Sequence, residues 1–193
     1  MSAKAPTTAL CAVKPSVTAM QKTITRAVVG IEALIDHIGK LTAWLALAMI
    51  SLVAVNVLLR YAFSLGSVWA QELEWHLLAA LILLGMSHAL QRGDNVRVDL
   101  FYVRYGTRTT FVVDVVSVLL IMVVALLFVA LSLGYVGQSY AINEQSPDPG
   151  GIPFRWVVKG LIPLGYCLLV LQSAGQLMRI VQTYRAPGEL DDV

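Results

Sequence analysis

The sequence predicts an all-α membrane protein with four transmembrane helices, an N-terminal amphipathic helix in the membrane interface, and both termini in the cytoplasm. The chain is 58% hydrophobic and only 13% charged, whereas soluble domains carry about 25% charged residues. Long uncharged segments recur along the chain. Most lysines and arginines lie before the first of these segments, between the second and third, or after the fourth. The net charge of +2 is too small to indicate nucleic-acid binding.

The N-terminal region predicts a polar tail followed by an amphipathic helix. The first 30 residues contain no apolar segment typical of a cleavable signal peptide, so we expect none. We expect residues 1–16 to form a disordered cytoplasmic tail. From 17 to 38, apolar residues recur at spacings of three and four, which is typical of one face of an α-helix. We expect this helix to lie in the membrane interface. The alternative is that it packs on cytoplasmic helices of a partner.

Four segments are predicted to be transmembrane helices, at about 41–60, 69–91, 112–137 and 156–179. The first, third and fourth contain uncharged runs that approach or reach the ~20 residues needed to cross a hydrocarbon core of ~30 Å. The second has only a short uncharged run, 77–90. It spans the membrane only if its first turns include Glu72, Glu74 and His76.

Lysines and arginines near the ends of the spans predict the orientation of the helices. Most of them lie before the first span, between the second and third, or after the fourth, and the other side holds only Arg60, Arg155 and Lys159. Because positive residues concentrate in cytoplasmic loops, both termini should be cytoplasmic. Residues 17–185 should form one membrane domain, followed by a cytoplasmic tail, 186–193.

The sequence lacks the common signatures of catalysis and of cofactor binding. It contains no nucleophile elbow, zinc-protease motif, phosphate-binding glycine loop or Cys-x-x-Cys pair. Haem ligation by two histidines needs rings that face each other from different helices. His76 and His88 lie on one predicted helix and point about 120° apart. We therefore expect no enzyme activity, cofactor or metal; the alternative is a haem- or quinone-associated membrane anchor of an oxidoreductase.

Three ionisable residues in the second span predict contact with a partner. Glu72 and His76 share a helix face, where an ion pair is geometrically allowed, and Glu74 points away from Glu72. Carboxylates on two faces of a helix are unfavourable against lipid. We expect a partner subunit to contact all three side chains, and the alternative is that they reach the membrane interface.

The two longest connections each carry further candidate interface residues. Residues 138–156 contain three prolines and two glycines, which predict a stiff turn. We expect this turn to be a docking surface; the candidate interface residues are Asp148 and Arg155 in the turn and Lys159 just after it.

On the other side of the membrane, the segment QRGDNVRVD, residues 91–99, contains two Arg-x-Asp triplets. Gly93 is placed to end the second helix in a left-handed conformation. The four charged residues of the triplets can pair with one another within the loop, or they can hold a partner's charged loop in fixed register: Arg92, Asp94, Arg97 and Asp99.

A longer stretch resembles a known family of transporter subunits. The resemblance is clearest in three stretches: LLRYAFSLGSVW, VWAQELEWHLLAALILLGMSHALQRGDNVRVDLFY and SPDPGGIPFRWVVKGLIPLGYCLLVLQ. It covers about residues 40–175 and is similar to the small permease subunit, DctQ type, of tripartite ATP-independent periplasmic (TRAP) transporters. The Arg-x-Asp triplets and the S-P-D-P-G-G turn resemble the branch labelled for mannitol or chloroaromatic compounds.

The resemblance implies a function that the residues alone do not. Such subunits lie in the bacterial inner membrane beside a large multi-span permease that holds the sodium and substrate sites. A periplasmic binding protein captures the substrate, usually an organic acid, and the small subunit acts as a scaffold. The chain departs from the family at Asn95, where histidine is frequent, so a role that needs a titratable group there is not expected.

Overall fold

A computed structural model describes residues 15–93 and 106–185, without the side chains of 15–23 and 185. The backbone of these ranges forms four helices and no strand: α1 Pro15–Phe63, α2 Val68–Arg92, α3 Thr107–Ala141 and α4 Arg155–Arg185. Each helix is long and apolar enough to cross a membrane, by length and composition, and each contains one predicted span. The predicted all-α membrane fold is therefore confirmed.

The predicted break between the amphipathic helix and the first span is absent. α1 is continuous over 49 residues, which corresponds to about 73 Å at about 1.5 Å per residue. Gly39 and Lys40 interrupt the apolar pattern without ending the helix, since an isolated glycine costs only about 1 kcal/mol in a helix interior. The helix also includes Pro15 and Ser16, which the sequence assigned to the tail; the rest of that tail and residues 186–193 lie outside the described ranges.

Exposed aromatic side chains mark the membrane depth along α1. Trp44 is 71% exposed and Tyr61 is 82% exposed, and about 26 Å of helix separates them. Tryptophan and tyrosine favour the two membrane–water interfaces, and a hydrocarbon core is about 30 Å thick. The segment between these two residues therefore has the length of a membrane crossing, and the part of α1 before Trp44 extends beyond it.

The apolar face of this N-terminal part packs against the chain's own helices. Val28 and Ile35 are buried, Ile35 completely. Gln91 of α2 donates a 3.2 Å hydrogen bond to the carbonyl of Glu32, and Arg179 of α4 donates to the Glu32 carboxylate. Part of the amphipathic face thus packs within the chain, while Leu34 of the same face is 47% exposed. The predicted position of this helix in the membrane interface, or on a partner, stays a prediction.

α4 is the central helix, because it packs against each of the other three. α3 packs chiefly on α4, through buried residues that recur every seven positions: Val118, Ala125, Ser132 and Ser139. Two stacked ring pairs fix the antiparallel register, with centroid distances of 4.1 Å for Phe111–Tyr184 and 4.7 Å for Phe128–Tyr166. A seven-residue repeat keeps one face of a helix on its neighbour, so the remaining faces of α3 stay exposed and apolar.

Candidate functional site

Glu72 is a buried carboxylate in the second turn of α2, only 6% exposed. It accepts hydrogen bonds from the hydroxyl of Ser146 and from the backbone N–H of Ile152. Both donors belong to residues 142–154, the connection between α3 and α4. Glu72 therefore fastens the 142–154 connection to α2. Both contacts lie within the chain, and the contact of Glu72 with a partner subunit stays a prediction.

A second carboxylate, Glu144, holds the start of the same connection. It accepts a 2.6 Å hydrogen bond from the Ser139 hydroxyl and forms an ion pair with the ammonium of Lys159. The backbone N–H of Arg155 donates to the carbonyl of Glu144 at 3.2 Å. The Lys159 ammonium also lies 4.1 Å from the centre of the Tyr135 ring. Glu144 thus ties the end of α3 to the first turns of α4.

The ionised state of Glu144 is favoured by its surroundings. The hydrogen bonds from Lys159 and Ser139 have the largest effects and lower the pKa of Glu144; burial opposes them, and the charges of Lys159 and Arg155 lower the pKa further. A depressed pKa in the folded state stabilises the fold above the ordinary glutamate pKa, and that contribution is lost as the pH falls through the folded pKa.

The lowered pKa of Glu144 gives a pH prediction for Glu144→Gln. The thermal unfolding midpoint of the variant should lie below that of the parent by a constant amount above about pH 5, and the gap should close below about pH 4. Unfolding of the purified chain in detergent, followed by circular dichroism at each pH, measures the gap. Asp148→Asn is the control, because it removes an exposed carboxylate from the same connection. A gap that varied between pH 6 and 8 would contradict this assignment.

The 142–154 connection is also folded by its own hydrogen bonds. The N–H of Asp148 donates to the Ser146 hydroxyl at 3.2 Å, and the N–H of Gly151 donates to the Asp148 carbonyl at 3.0 Å. A Cβ on Gly151 would lie 2.4 Å from the Ser146 hydroxyl oxygen and 2.7 Å from a Glu72 carboxylate oxygen. Glycine at this position therefore allows the connection to lie directly on Glu72. The Asp148 side chain itself is exposed.

Glu74 and His76 make different contacts from Glu72. Glu74 accepts a 3.0 Å hydrogen bond from the side-chain amide of Asn56, which joins α2 to α1. Nδ1 of His76 lies 2.6 Å from the Glu72 carbonyl, so its N–H donates to the α2 backbone. Nε2 of His76 is buried, with no hydrogen-bond partner in the described part of the chain.

A cavity of ≈ 160 Å³ lies between the first turns of α2 and α4. Three lining residues come from each helix, at the same one-turn spacing: Glu72, Trp75 and His76 from α2, and Arg155, Val158 and Lys159 from α4. Four of the residues predicted to contact a partner thus surround one cavity. Glu74 faces α1 and lies outside it, and Asp148 is exposed on the connection.

The predicted charged segment at the other end of α2 is only partly described. Gly93 has φ 71°, and its N–H donates to the carbonyls of Ala89 and Leu90, so the predicted left-handed helix end is confirmed. Arg92 is exposed, with its guanidinium 3.4 Å from the Asp36 carboxylate. The remaining members of the segment lie outside the described residues: Asp94, Asn95, Arg97 and Asp99.

His76 and His88 lie at opposite ends of α2. A Cβ on Gly39 would lie 2.4 Å from Nδ1 of His88, so this ring packs on the backbone of α1. His76 lies at the opposite end of α2, beside the cavity. Across 15–93 and 106–185, no group of three or more His, Cys, Asp or Glu residues could hold a metal ion.

Sequence comparison identifies a family over most of the chain. Residues 49–183 match the family described as tripartite ATP-independent periplasmic transporters, DctQ component. No curated protein sequence matches the chain. The family match contains α2, α3 and nearly all of α4, and it includes every residue of the Glu72 and Glu144 contacts and of the cavity. The chain therefore belongs to the DctQ family, the small permease components of TRAP transporters.

Proposed function

We propose that the chain is the scaffold subunit of a sodium-coupled TRAP transporter that takes up an organic acid. In this proposal a large multi-span permease carries the sodium and substrate sites, and a periplasmic binding protein delivers the substrate. The family match over residues 49–183 is the observation that carries the proposal. The resemblance to the branch labelled for mannitol or chloroaromatic compounds does not identify the substrate.

The contacts of the charged residues support a bracing role. Three carboxylates are engaged by other residues of the chain: Glu74 joins α2 to α1, Glu72 joins α2 to the 142–154 connection, and Glu144 ties the end of α3 to the first turns of α4. α1 and α3 also present many exposed large apolar side chains, Leu58 and Leu131 among them. Such faces are suited to lipid and to the apolar helices of a partner.

We place both termini in the cytoplasm of a bacterial cell and the 142–154 connection in the periplasm. The support is the excess of lysine and arginine on the side of the termini. Exposed Asp148 then faces the periplasm, and the Arg-x-Asp triplets lie on the cytoplasmic side. We propose that the triplets contact a cytoplasmic loop of the permease.

This proposal predicts co-purification of the tagged chain with a large multi-span permease from its native membrane. Asp99→Ala and Arg97→Ala should each reduce the recovered permease severalfold and leave substrate capture by the binding protein unchanged, because they remove charge-assisted contacts between subunits. Mass spectrometry of the eluate measures the recovery, and Arg60→Ala, on the other side of the membrane, is the control. Unchanged recovery in both variants would contradict the role of the triplets.

Two other outcomes would contradict the scaffold function itself. One is a purified chain that transports substrate into liposomes without any other subunit. The other is a haem absorption band in the purified chain, which would favour the oxidoreductase anchor.

A further inference from the structure

We propose that the cavity between α2 and α4 binds the phosphate group of a membrane phospholipid. The proposal concerns the bilayer around this chain, and it does not depend on the transporter function. Its basis is the depth of the cavity, the hydrogen-bonding groups left without partners, and an apolar face that leads away from the cavity.

The cavity lies at the depth of lipid headgroups. Its lining residues belong to the first turns of α2 and α4, within about 12 Å of the start of α2 at about 1.5 Å per residue. Aromatic residues cluster at this end of the bundle, where Trp75 is 68% exposed and Tyr140 packs edge-on against Trp156 with ring centres 5.3 Å apart. Such a cluster is typical of a membrane–water interface.

Two lining groups have unused hydrogen-bonding capacity. The half-buried side chain of Arg155 has no hydrogen bond or ion pair within the described ranges. Nε2 of His76 is also buried and has no partner among the same residues, but because Nδ1 donates to the Glu72 carbonyl, Nε2 of the neutral ring is an acceptor and leaves Arg155 as the free donor. The other charged lining groups are already engaged, Glu72 by the connection and Lys159 by Glu144. The free donors of an arginine fork match the oxygens of a phosphate group.

The position of Arg155 also favours an anionic ligand. It is the first residue of α4, where the helix dipole places a partial positive charge that favours anions. The Glu72 and Glu144 carboxylates weaken the positive potential at Arg155 but accept hydrogen bonds from other donors. The group that fits the cavity is therefore an anionic oxygen acceptor that Arg155 can contact directly.

Size and surroundings favour a lipid over a larger soluble ligand. The cavity volume of ≈ 160 Å³ is below the range of about 300–1,000 Å³ for drug-sized ligands. From the cavity, exposed Trp75, Leu78 and Ile82 follow one face of α2 towards the middle of the span. A phospholipid with its phosphate in the cavity would place its acyl chain along this apolar face.

Lipid titration of the purified full-length chain in detergent, followed by native mass spectrometry, tests the proposal. The probes are dioleoylphosphatidylglycerol, dioleoylglycerol with the same chains but no phosphate, and inorganic phosphate. We expect the phospholipid to bind, dioleoylglycerol not to bind, and millimolar inorganic phosphate not to displace the phospholipid. Displacement by inorganic phosphate at concentrations similar to the lipid would overturn the lipid assignment.

Three variants locate the bound lipid. Arg155→Gln should weaken phospholipid binding about tenfold, because it removes a charged hydrogen-bond donor. Val158→Phe should also weaken binding, since it fills the cavity and leaves the charges in place. Arg60→Gln, an exposed arginine at the same end of the bundle, should bind as the parent does. Circular dichroism verifies that each variant is folded, and parental affinity in either cavity variant would overturn the proposal.

Discussion

Replacing Gly165 with alanine should destabilise the bundle by about 1–3 kcal/mol, the usual cost of overpacking a close-packed interior. A Cβ at this position would lie 2.6 Å from the carbonyl oxygen of Leu83 and 2.9 Å from its Cβ. The nearest atom belongs to the α2 backbone, which cannot rotate away as a flexible side chain can. The added methyl group must therefore push α4 away from α2. The thermal unfolding midpoint of the purified chain in detergent measures the loss.

Gly160 provides a matched control in the same helix. A Cβ on Gly160 meets no atom within 4 Å, so Gly160→Ala should be neutral or slightly stabilising because alanine is the better helix former. Equal midpoints for the two alanine variants would contradict the importance of the contact between Gly165 and Leu83. Close helix approach through small residues is a common device in membrane bundles.

The membrane spans were predictable because they depend on local properties of the sequence. Hydropathy and length identify a membrane helix without knowledge of its neighbours, and the short second span needed only the inclusion of Glu72, Glu74 and His76. The end of α2 at Gly93 was predictable for a similar reason, since a left-handed helix end depends on one residue type. These features require no contact between distant parts of the chain.

The end of the amphipathic helix was not predictable in the same way. Apolar residues at spacings of three and four show that a helix has an apolar face, but they do not show what covers the face. The structure covers Val28 and Ile35 with the chain's own α2 and α4. The pattern also continues from the amphipathic segment into the first span without proline, so nothing in the sequence ends α1 between them.

The contacts of the candidate site were the least predictable part. Ser146 and Ile152 meet Glu72 across more than seventy residues, and hydrophobic periodicity gives no information about such pairs. Glu144 was missed because a single carboxylate in a polar connection has no distinguishing pattern. A carboxylate within a predicted span did indicate a polar contact for Glu72. The stiff turn predicted for residues 138–156 was the available clue to the partner of Glu72.

Glu72→Ala should release the 142–154 connection from α2. The substitution leaves the hydroxyl of Ser146 and the N–H of Ile152 without their common acceptor. Loss of a hydrogen bond to a charged group shifts a local opening equilibrium about tenfold or more, so the amide of Ile152 should exchange with solvent at least about tenfold faster. Hydrogen–deuterium exchange of peptides from the connection measures this, and peptides from the middle of α3 provide the internal reference.

The conservative variant separates the hydrogen bonds from the charge. In Glu72→Gln the amide oxygen replaces one carboxylate oxygen, and the amide nitrogen that replaces the other can donate but cannot accept. The Ile152 N–H can then bond only to the amide oxygen, the Ser146 hydroxyl must share that oxygen or accept from the amide nitrogen, and neither bond is charge-assisted. We expect exchange at Ile152 to rise in the order parent, Glu72→Gln, Glu72→Ala, and to remain at the parental rate in Asp148→Asn. Parental exchange in Glu72→Ala would show that other contacts hold the connection in place.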